Sequence, residues 1–166
     1  MLGFTKTLTD IMYLYMLFPI ILYVNKDQRA RSIYYFAVWS AVQFTSDYAK
    51  LSFWQARPYW VNPEVLAPYC STQFGNPSGH AMGITCFGLT MWLDFNASVD
   101  VKSQFSSYFM RGSLLVIALM LAGIVCYMRA YCGVHDPSQV MQGIVWGLWL
   151  TFTLHYLIRK RYTASV

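Results

Sequence analysis

The stretch SLLVIALMLAGIVCYM, residues 113–128, contains no charged residue and lies between Arg111 and Arg129. It approaches the roughly 20 apolar residues with which a helix crosses the hydrocarbon core of a bilayer, and it therefore predicts a transmembrane helix. The whole chain agrees, because 57% of its 166 residues are hydrophobic and only 11% are charged. Since about a quarter of the residues of a soluble domain are charged, this composition disfavours a soluble globular enzyme.

Apolar segments on both sides of this stretch predict an all-α integral membrane protein, a single domain built as a bundle of about five transmembrane helices. The predicted spans are about residues 8–24, 32–54, 80–94, 113–128 and 137–158. The first segment lacks a basic leader of any size and a small-residue cleavage site, so we interpret it as a retained span and not as a signal peptide.

The basic residues predict which way the bundle faces. Five crossings place the 56–79 loop and the 130–136 loop on the same side as the amino terminus. The other side carries eight of the twelve basic residues: Lys26, Arg29, Arg31, Lys102, Arg111, Arg159, Lys160 and Arg161. By the positive-inside rule that side is cytoplasmic, so the two loops face a periplasm, a lumen or the exterior. Topology also explains the net charge of +5 better than nucleic-acid binding does, because no basic stripe runs along the chain.

Three of the remaining basic residues converge with two histidines at span ends on the non-cytoplasmic side. Lys50 and Arg57 are seven residues apart, or two helical turns, which predicts a shared face near the end of the second span. Arg129 closes the fourth span, while His80 opens the third and His135 opens the fifth. Basic side chains without matching acids repel one another unless an anion neutralises them, and arginine and lysine are suited to phosphate oxygens. With one histidine as nucleophile and one as proton donor, such a site predicts phosphoester hydrolysis.

A second anion-binding element is predicted at residues 76–80, where Asn-Pro-Ser-Gly-His runs into the start of the third span. The amides of a helix start, including that of Gly79, and the Ser78 hydroxyl are suitable donors to phosphate. The four cysteines show neither C-x-x-C nor zinc-ligand spacing, so no metal site is predicted. Whether Cys70 and Cys132, both in the non-cytoplasmic loops, form a disulfide is left open.

Three motifs resemble those of a known family. Lys50-x6-Arg57-Pro58, Pro77-Ser78-Gly79-His80 and Arg129-x5-His135 look like the signature motifs of the type 2 phosphatidic acid phosphatase superfamily, with wording nearest to its glucose-6-phosphatase branch. The resemblance implies a metal-independent and cofactor-free phosphatase of lipid, isoprenoid or sugar phosphates, working through a phosphohistidine. The roles it implies are His135 as nucleophile, His80 as proton donor, and Lys50, Arg57, Arg129, Ser78 and the Gly79 amide as phosphate ligands.

One position departs from the superfamily pattern. An aspartate usually follows the nucleophilic histidine by four residues, but here the residue is Gln139. Its amide oxygen can orient the His135 ring but brings no full charge, and the glucose-6-phosphatase branch is similar in this respect. Asp136 could supply the charge or cap the fifth helix, and Asp47 is predicted to form a structural ion pair with Lys50 or Arg129. The alternative function is a non-catalytic subunit of a larger membrane assembly, and a homo-oligomer is also possible in principle.

Overall fold

The computed structural model describes residues 17–68, 70–98 and 104–159, and within them every regular element is a helix. The helices are α1, described over residues 17–24; α2, Arg29–Phe53; α3, Pro58–Val61; α4, Gly79–Ser98; α5, Gln104–Tyr131; and α6, Pro137–Leu154. A 3-10 turn at Lys26–Gln28 precedes α2, and a π-helical turn at His155–Arg159 follows α6. Four long helices therefore coincide with predicted spans, whereas residues 8–16 of the first predicted span lie outside the described residues.

Two helices are longer than the predicted spans. Helix α4 continues past Asp94 to Ser98, and α5 begins at Gln104, well before Ser113. Hydropathy marks the part of a helix that suits hydrocarbon, whereas main-chain hydrogen bonding continues into polar sequence. By length and mean hydropathy, one helix among the described residues could cross a membrane, at Tyr108–Tyr131.

Helix α4 lies at the centre of the bundle and packs against α2, α5 and α6. Its residues Met82 and Phe87 are almost fully buried in the main apolar core. The other buried members of this core are Tyr34, Tyr35, Val38, Val42, Cys86, Leu150 and Leu154. Burial of this set holds the amino-terminal end of α4 against α2 and α6, where the candidate site lies.

Two glycines bring α6 unusually close to the main chain of α4. A Cβ atom on Gly143 would lie 2.5 Å from the Ser78 carbonyl oxygen, and one on Gly147 would lie 2.8 Å from the Met82 carbonyl oxygen. Real Cβ atoms do not approach oxygen this closely, so any side chain here would push the helices apart. Small residues at such crossings are typical of helix packing in membranes.

At the end of the bundle remote from the start of α4, a buried carboxylate joins three elements. Asp94 is 5% exposed. It pairs with Arg31 Nε at 2.8 Å and with Arg159 Nε at 2.7 Å, and it accepts a hydrogen bond from the Tyr35 hydroxyl at 2.9 Å. Both arginines, which in the sequence indicate only topology, thus also tie α2 and the last turn to α4.

Candidate active site

Lys50 and Arg57 do not share a helical face, so that prediction is wrong. Helix α2 ends at Phe53, and Trp54 adopts a left-handed conformation with φ 52°. Arg57 then has extended dihedrals, φ −81° and ψ 154°, directly before Pro58, which begins α3. A residue that precedes proline is disfavoured in the helical region, which explains the extended conformation of Arg57. The two basic residues are instead joined through the loop that precedes α4.

The guanidinium of Arg57 is enclosed by main-chain oxygens of that loop. Its Nε donates to the Gln73 carbonyl at 2.7 Å, and Nη2 donates to Ser71 Oγ at 3.3 Å and to the Phe74 carbonyl at 3.5 Å. Nη1 donates to the Val134 carbonyl at 3.1 Å. Arg57 is only 3% exposed. The loop that surrounds its side chain therefore sets its position.

Lys50 points to the same loop from the last turn of α2. Its Nζ donates to Gln73 Oε1 at 2.7 Å and lies 3.6 Å from a carboxylate oxygen of Asp47, which confirms the predicted ion pair. A Cβ on Gly79 would lie 2.8 Å from Ser46 Oγ and 3.6 Å from Lys50 Nζ. The absence of a side chain at Gly79 thus leaves room for Ser46 of α2, and it brings the amino-terminal end of α4 close to the Lys50 ammonium group.

The start of α4 is anchored on α6. The Ser78 amide donates to the Gln139 carbonyl at 2.9 Å, and the Ser78 hydroxyl accepts from the Ala81 amide at 3.5 Å. Ser78 is fully buried, and His80, the second residue of α4, is partly buried. The amides that begin this helix therefore lie at the same end of the bundle as Lys50 and Arg57, where an anion would be favoured.

His135 lies 2% exposed in the turn between α5 and α6, with both ring nitrogens bonded. Nδ1 is 2.8 Å from the Gly75 carbonyl oxygen and 3.2 Å from Gln139 Oε1. Arg57 Nη1 lies 3.3 Å from Nε2 and can only donate to it. Because a carbonyl oxygen can only accept, the ring proton is on Nδ1 and the lone pair is on Nε2.

Burial and positive charge keep this ring neutral. Desolvation is the largest cause that lowers the pKa of His135 to about 2, followed by the positive charges of Arg129 and Arg57. The hydrogen bonds to Gly75 and Gln139 oppose the shift but do not outweigh it. Arg129, 2% exposed in the last turn of α5, also accepts the His135 amide on its carbonyl at 3.3 Å. A neutral imidazole with a free lone pair is the nucleophilic form.

Asp136 caps α6, one of the two roles left open for it. Its carboxylate accepts from the Gln139 amide at 2.9 Å, and Gln139 Oε1 accepts from the Asp136 amide at 3.4 Å, which completes a capping box. Gln139 Nε2 donates to the Ala56 carbonyl at 2.8 Å. Gln139 therefore contacts the turn that carries His135 and the segment that leads into Arg57.

The site residues lie within a stretch that matches a known protein family. The family model described as PAP2 superfamily matches residues 31–163. The chain belongs to the PAP2 superfamily. The match includes every residue of the site described above.

Individual relatives of this PAP2 protein include phosphatases of two kinds. It is 31% identical over 109 residues to glucose-6-phosphatase 2 of Mus musculus, covering 55% of this chain and 31% of that protein. It is 30% identical over 99 residues to undecaprenyl-diphosphatase of Sulfolobus acidocaldarius, covering 59% of this chain and 41% of that protein. It is 32% identical over 151 residues to glucose-6-phosphatase catalytic subunit 1 of Haplochromis nubilus, covering 79% of this chain and 41% of that protein. The chain thus spans about a third to two fifths of the length of these curated relatives.

A solved structure has the same fold. The crystal structure of the first transmembrane PAP2 type phosphatidylglycerolphosphate phosphatase, from Bacillus subtilis, superposes with a TM-score of 0.75. The alignment covers 96% of this chain and 77% of that chain at 19% sequence identity. At this identity the likeness shows the fold.

Two residues of this PAP2 site were not singled out in the sequence. Gln73 and Gly75 contact Lys50, Arg57 and His135, mostly through main-chain oxygens. Main-chain carbonyls exist at every residue, so residue type carries no signal for them. The one indication available was that both lie just before the Pro77-Ser78-Gly79-His80 motif. Cys70 and Cys132, whose pairing was left open, are free thiols.

Proposed function

We propose that this PAP2 protein is a multi-pass membrane phosphatase that hydrolyses a phosphate ester through a phosphohistidine on His135. The observation that carries the proposal is the state of the His135 ring, which is buried and neutral, with the Nε2 lone pair directed toward Arg57. The Nε2 lone pair would form the N–P bond while the P–O bond to the leaving group breaks. His80 would protonate the leaving oxygen, and it would then take a proton from the water that releases phosphate.

The transferred phosphoryl group would be held by the cations and amides around the ring. Lys50, Arg57 and Arg129 supply positive charge, and the Gly79 amide and the Ser78 hydroxyl supply further donors. Such donors act mainly by stabilising charge that develops in the transition state. Arg57 Nη1, which now donates to His135 Nε2, would transfer that hydrogen bond to a phosphoryl oxygen when substrate arrives.

Gln139 would help to orient the nucleophile. Its Oε1 faces the Nδ1 side of the ring, while its Nε2 is tied to Ala56. A neutral amide in place of the usual aspartate is consistent with an active site in which the imidazole is neutral before attack. This reading favours catalysis over the alternative of a non-catalytic subunit.

An aromatic rim beside the site favours a lipid or isoprenoid phosphate as substrate. Trp54 stacks on Phe74 with ring centroids 5.9 Å apart, and Trp60 contacts Phe74 edge-on, also at 5.9 Å. Trp54, which follows α2, is 72% exposed, and Leu66, in the loop between α3 and α4, is 90% exposed. Exposed tryptophans of this kind are typical of the level of lipid headgroups. A sugar phosphate is the second candidate, because two of the relatives named above are glucose-6-phosphatases.

The proposed orientation places the site on the non-cytoplasmic side, facing a periplasm, a lumen or the exterior. Lys50, Arg57 and Arg129 lie at the site end, where they would bind the anion, while Arg31, Arg111 and Arg159 lie toward the other end. The positive-inside rule assigns the second group to the cytoplasm.

The test is phosphate release by the purified protein in the presence of EDTA. The panel comprises phosphatidic acid, an isoprenoid phosphate, a sugar phosphate and p-nitrophenyl phosphate. We expect His135→Ala to lower kcat by about a thousandfold or more, because the nucleophile is lost. His155→Ala, at the opposite end of α6, is the matched control and should retain activity. Folded wild-type protein that releases no phosphate from any of these substrates would contradict the proposal and favour the non-catalytic subunit.

A further inference from the structure

We infer that Gly75 is a positioning residue of this site, and that its main-chain carbonyl, not the Gln139 side chain, is the principal partner of the His135 ring. Its lack of a side chain is equally part of the role, because it leaves room for the Gln139 amide. The inference deepens the proposed function, since it rests on His135 being the nucleophile.

The distances rank the two acceptors at Nδ1. The Gly75 oxygen is 2.8 Å from Nδ1, at the short end of the range for N–H···O bonds, whereas Gln139 Oε1 is 3.2 Å away, at its long end. Gln139 Oε1 also accepts from the Asp136 amide. The main-chain oxygen therefore sets the direction of the ring, and the glutamine supports it.

Both acceptors are anchored to the same short segment. The Gly75 amide donates to the Gln55 carbonyl at 2.8 Å, and Gln139 Nε2 donates to the Ala56 carbonyl at 2.8 Å. Residues 55 and 56 lead directly into Arg57, which donates to the other nitrogen of His135. The ring is thus fixed at both nitrogens relative to one stretch of main chain.

The space at Gly75 is filled by Gln139. A Cβ on Gly75 would lie 2.5 Å from Oε1, 2.6 Å from Nε2 and 2.8 Å from Cδ of that side chain. Gln139 is fully buried and its amide is hydrogen-bonded at both ends, so it cannot simply swing aside. A methyl group at position 75 must therefore displace the amide, the carbonyl of residue 75, or both.

A main-chain carbonyl fixes the tautomer without adding charge. It accepts a hydrogen bond from Nδ1 but has no basicity with which to remove the proton, so the lone pair stays on Nε2. An aspartate at the same place would also orient the ring but would favour the imidazolium form. Gly75 therefore orients the His135 ring, as the usual aspartate would. Unlike an aspartate, it adds no negative charge beside the ring.

A double-mutant cycle tests the inference by its non-additivity. We expect Gly75→Ala to lower kcat about 100-fold with KM changed less than about threefold, and Gln139→Ala to lower kcat about tenfold, by analogy with the losses of about 10- to 100-fold seen when the partners that orient metal-ligating histidines are removed. The double variant should recover to within about threefold of Gln139→Ala, because the clash has been removed. Gly123→Ala, where a Cβ meets nothing within 4 Å, is the control and should leave kcat unchanged.

Losses that multiply in the double variant would overturn the inference, as would a Gly75→Ala variant with wild-type kcat. A second measurement does not depend on turnover or on the folding of the Gly75 and Gln139 variants. In the wild type labelled with 15N-histidine, and assigned by difference from His135→Ala, the His135 signal should show protonated Nδ1 and unprotonated Nε2. The opposite tautomer would overturn the inference even if the protein is an active phosphatase. The expected tautomer in a protein without phosphatase activity would contradict only the proposed function.

Discussion

The Arg57 guanidinium uses all three of its nitrogens on protein acceptors before any substrate is present. Four of these acceptors are oxygens of residues 71–74 and 134, and the fifth is His135 Nε2. This saturation explains how a cationic side chain can be 3% exposed. A buried charge is tolerated when its hydrogen bonds are made. Arg57, the proposed phosphate ligand, is therefore held in place in advance, and only its Nη1 contact with His135 would have to change when substrate binds.

The His135 ring is expected to stay neutral over the usual pH range. Burial, Arg129 and Arg57 lower the pKa of His135 to about 2 from an ordinary value of 6.5. Because histidine is neutral above its pKa, the ring should stay neutral in the free protein from about pH 8 down to about pH 4. A histidine-labelled NMR titration measures this directly, and Arg57→Gln, which removes one positive charge, should raise the pKa. A wild-type His135 that titrates near pH 6.5 would contradict the claim that burial and the two arginines lower its pKa.

At the scale of elements, the loop between α3 and α4 acts as an ordered part of the site. Its described residues, 62–68 and 70–78, form no regular secondary structure, yet their oxygens contact Lys50, Arg57 and His135. Tyr59 fixes the loop from α3: its hydroxyl accepts from the Ser71 amide at 2.7 Å and donates to the Ser71 carbonyl at 3.1 Å. The loop is thus held to α3 at its centre while its main chain organises the cations.

Gln73→Ala tests whether this loop competes with the anion. Gln73 Oε1 accepts a hydrogen bond from Lys50 Nζ at 2.7 Å. It therefore engages the donor that we propose for a phosphoryl oxygen. Since the substitution removes the Gln73 acceptor from Lys50 and keeps the Gln73 carbonyl, inhibition by inorganic phosphate or vanadate should become about three- to tenfold tighter, which corresponds to the roughly 0.5–1.5 kcal/mol net value of one typical hydrogen bond. We expect kcat to change little. Exposed Thr72, substituted by alanine, is the control, and unchanged or weaker inhibition in Gln73→Ala would show that the side chain does not compete.

Gly147→Leu tests the contact between α4 and α6. A Cβ at this position would lie 2.8 Å from the Met82 carbonyl oxygen and 2.9 Å from Thr85 Cβ, so the helices must separate. Overpacking of this kind costs about 1–3 kcal/mol or more, which should lower the thermal unfolding midpoint in detergent by several degrees. Gly123→Leu, on an open face of α5, should leave the midpoint unchanged. Equal midpoints for the two variants would mean that the close approach of α4 and α6 does not stabilise the bundle.

At the scale of the whole molecule, charge is arranged differently at the two ends of the bundle. The site end gathers Lys50, Arg57 and Arg129, with the exposed carboxylate of Asp47 beside Lys50. The other end contains a buried carboxylate, Asp94, that pairs with Arg31 and Arg159. Basic side chains therefore gather at one end, where an anion would be favoured, whereas at the other end Asp94 pairs with Arg31 and Arg159 and joins three elements.

Asp94→Asn tests this division of roles. The carboxylate is 5% exposed and contacts both arginines, and removing one member of a buried ionic network costs about 3–5 kcal/mol. The unfolding midpoint should fall accordingly, while KM for a phosphate ester should stay within about twofold of the wild type because the site lies at the other end. Asp27→Asn, an exposed acid near the same end, is the control. A variant that loses substrate affinity without losing stability would show that the two ends are coupled.

The sequence by itself determined the helices and the residue types of the site. Runs of apolar residues are local properties, so the predicted spans 32–54, 80–94, 113–128 and 137–158 all coincide with helices of the described structure. The motif spacing also indicated the family, because the basic and histidine side chains that recognise phosphate must be of particular types. For the same reason Asp136 could be recognised as a possible helix cap.

Only the tertiary structure decided how those residues meet. His135 and Gly75 are 60 residues apart and Arg57 and Val134 are 77 apart, and both contacts use a main-chain oxygen that any residue possesses. The assumption of a shared helical face for Lys50 and Arg57 failed because the chain leaves the helix at Trp54. In the sequence, Asp94 likewise indicates only the end of a predicted span. The structure shows that packing places Arg31 and Arg159 beside its carboxylate. Residue type predicts which groups can bind an anion, but the packing of distant segments decides which acceptors hold those groups in place.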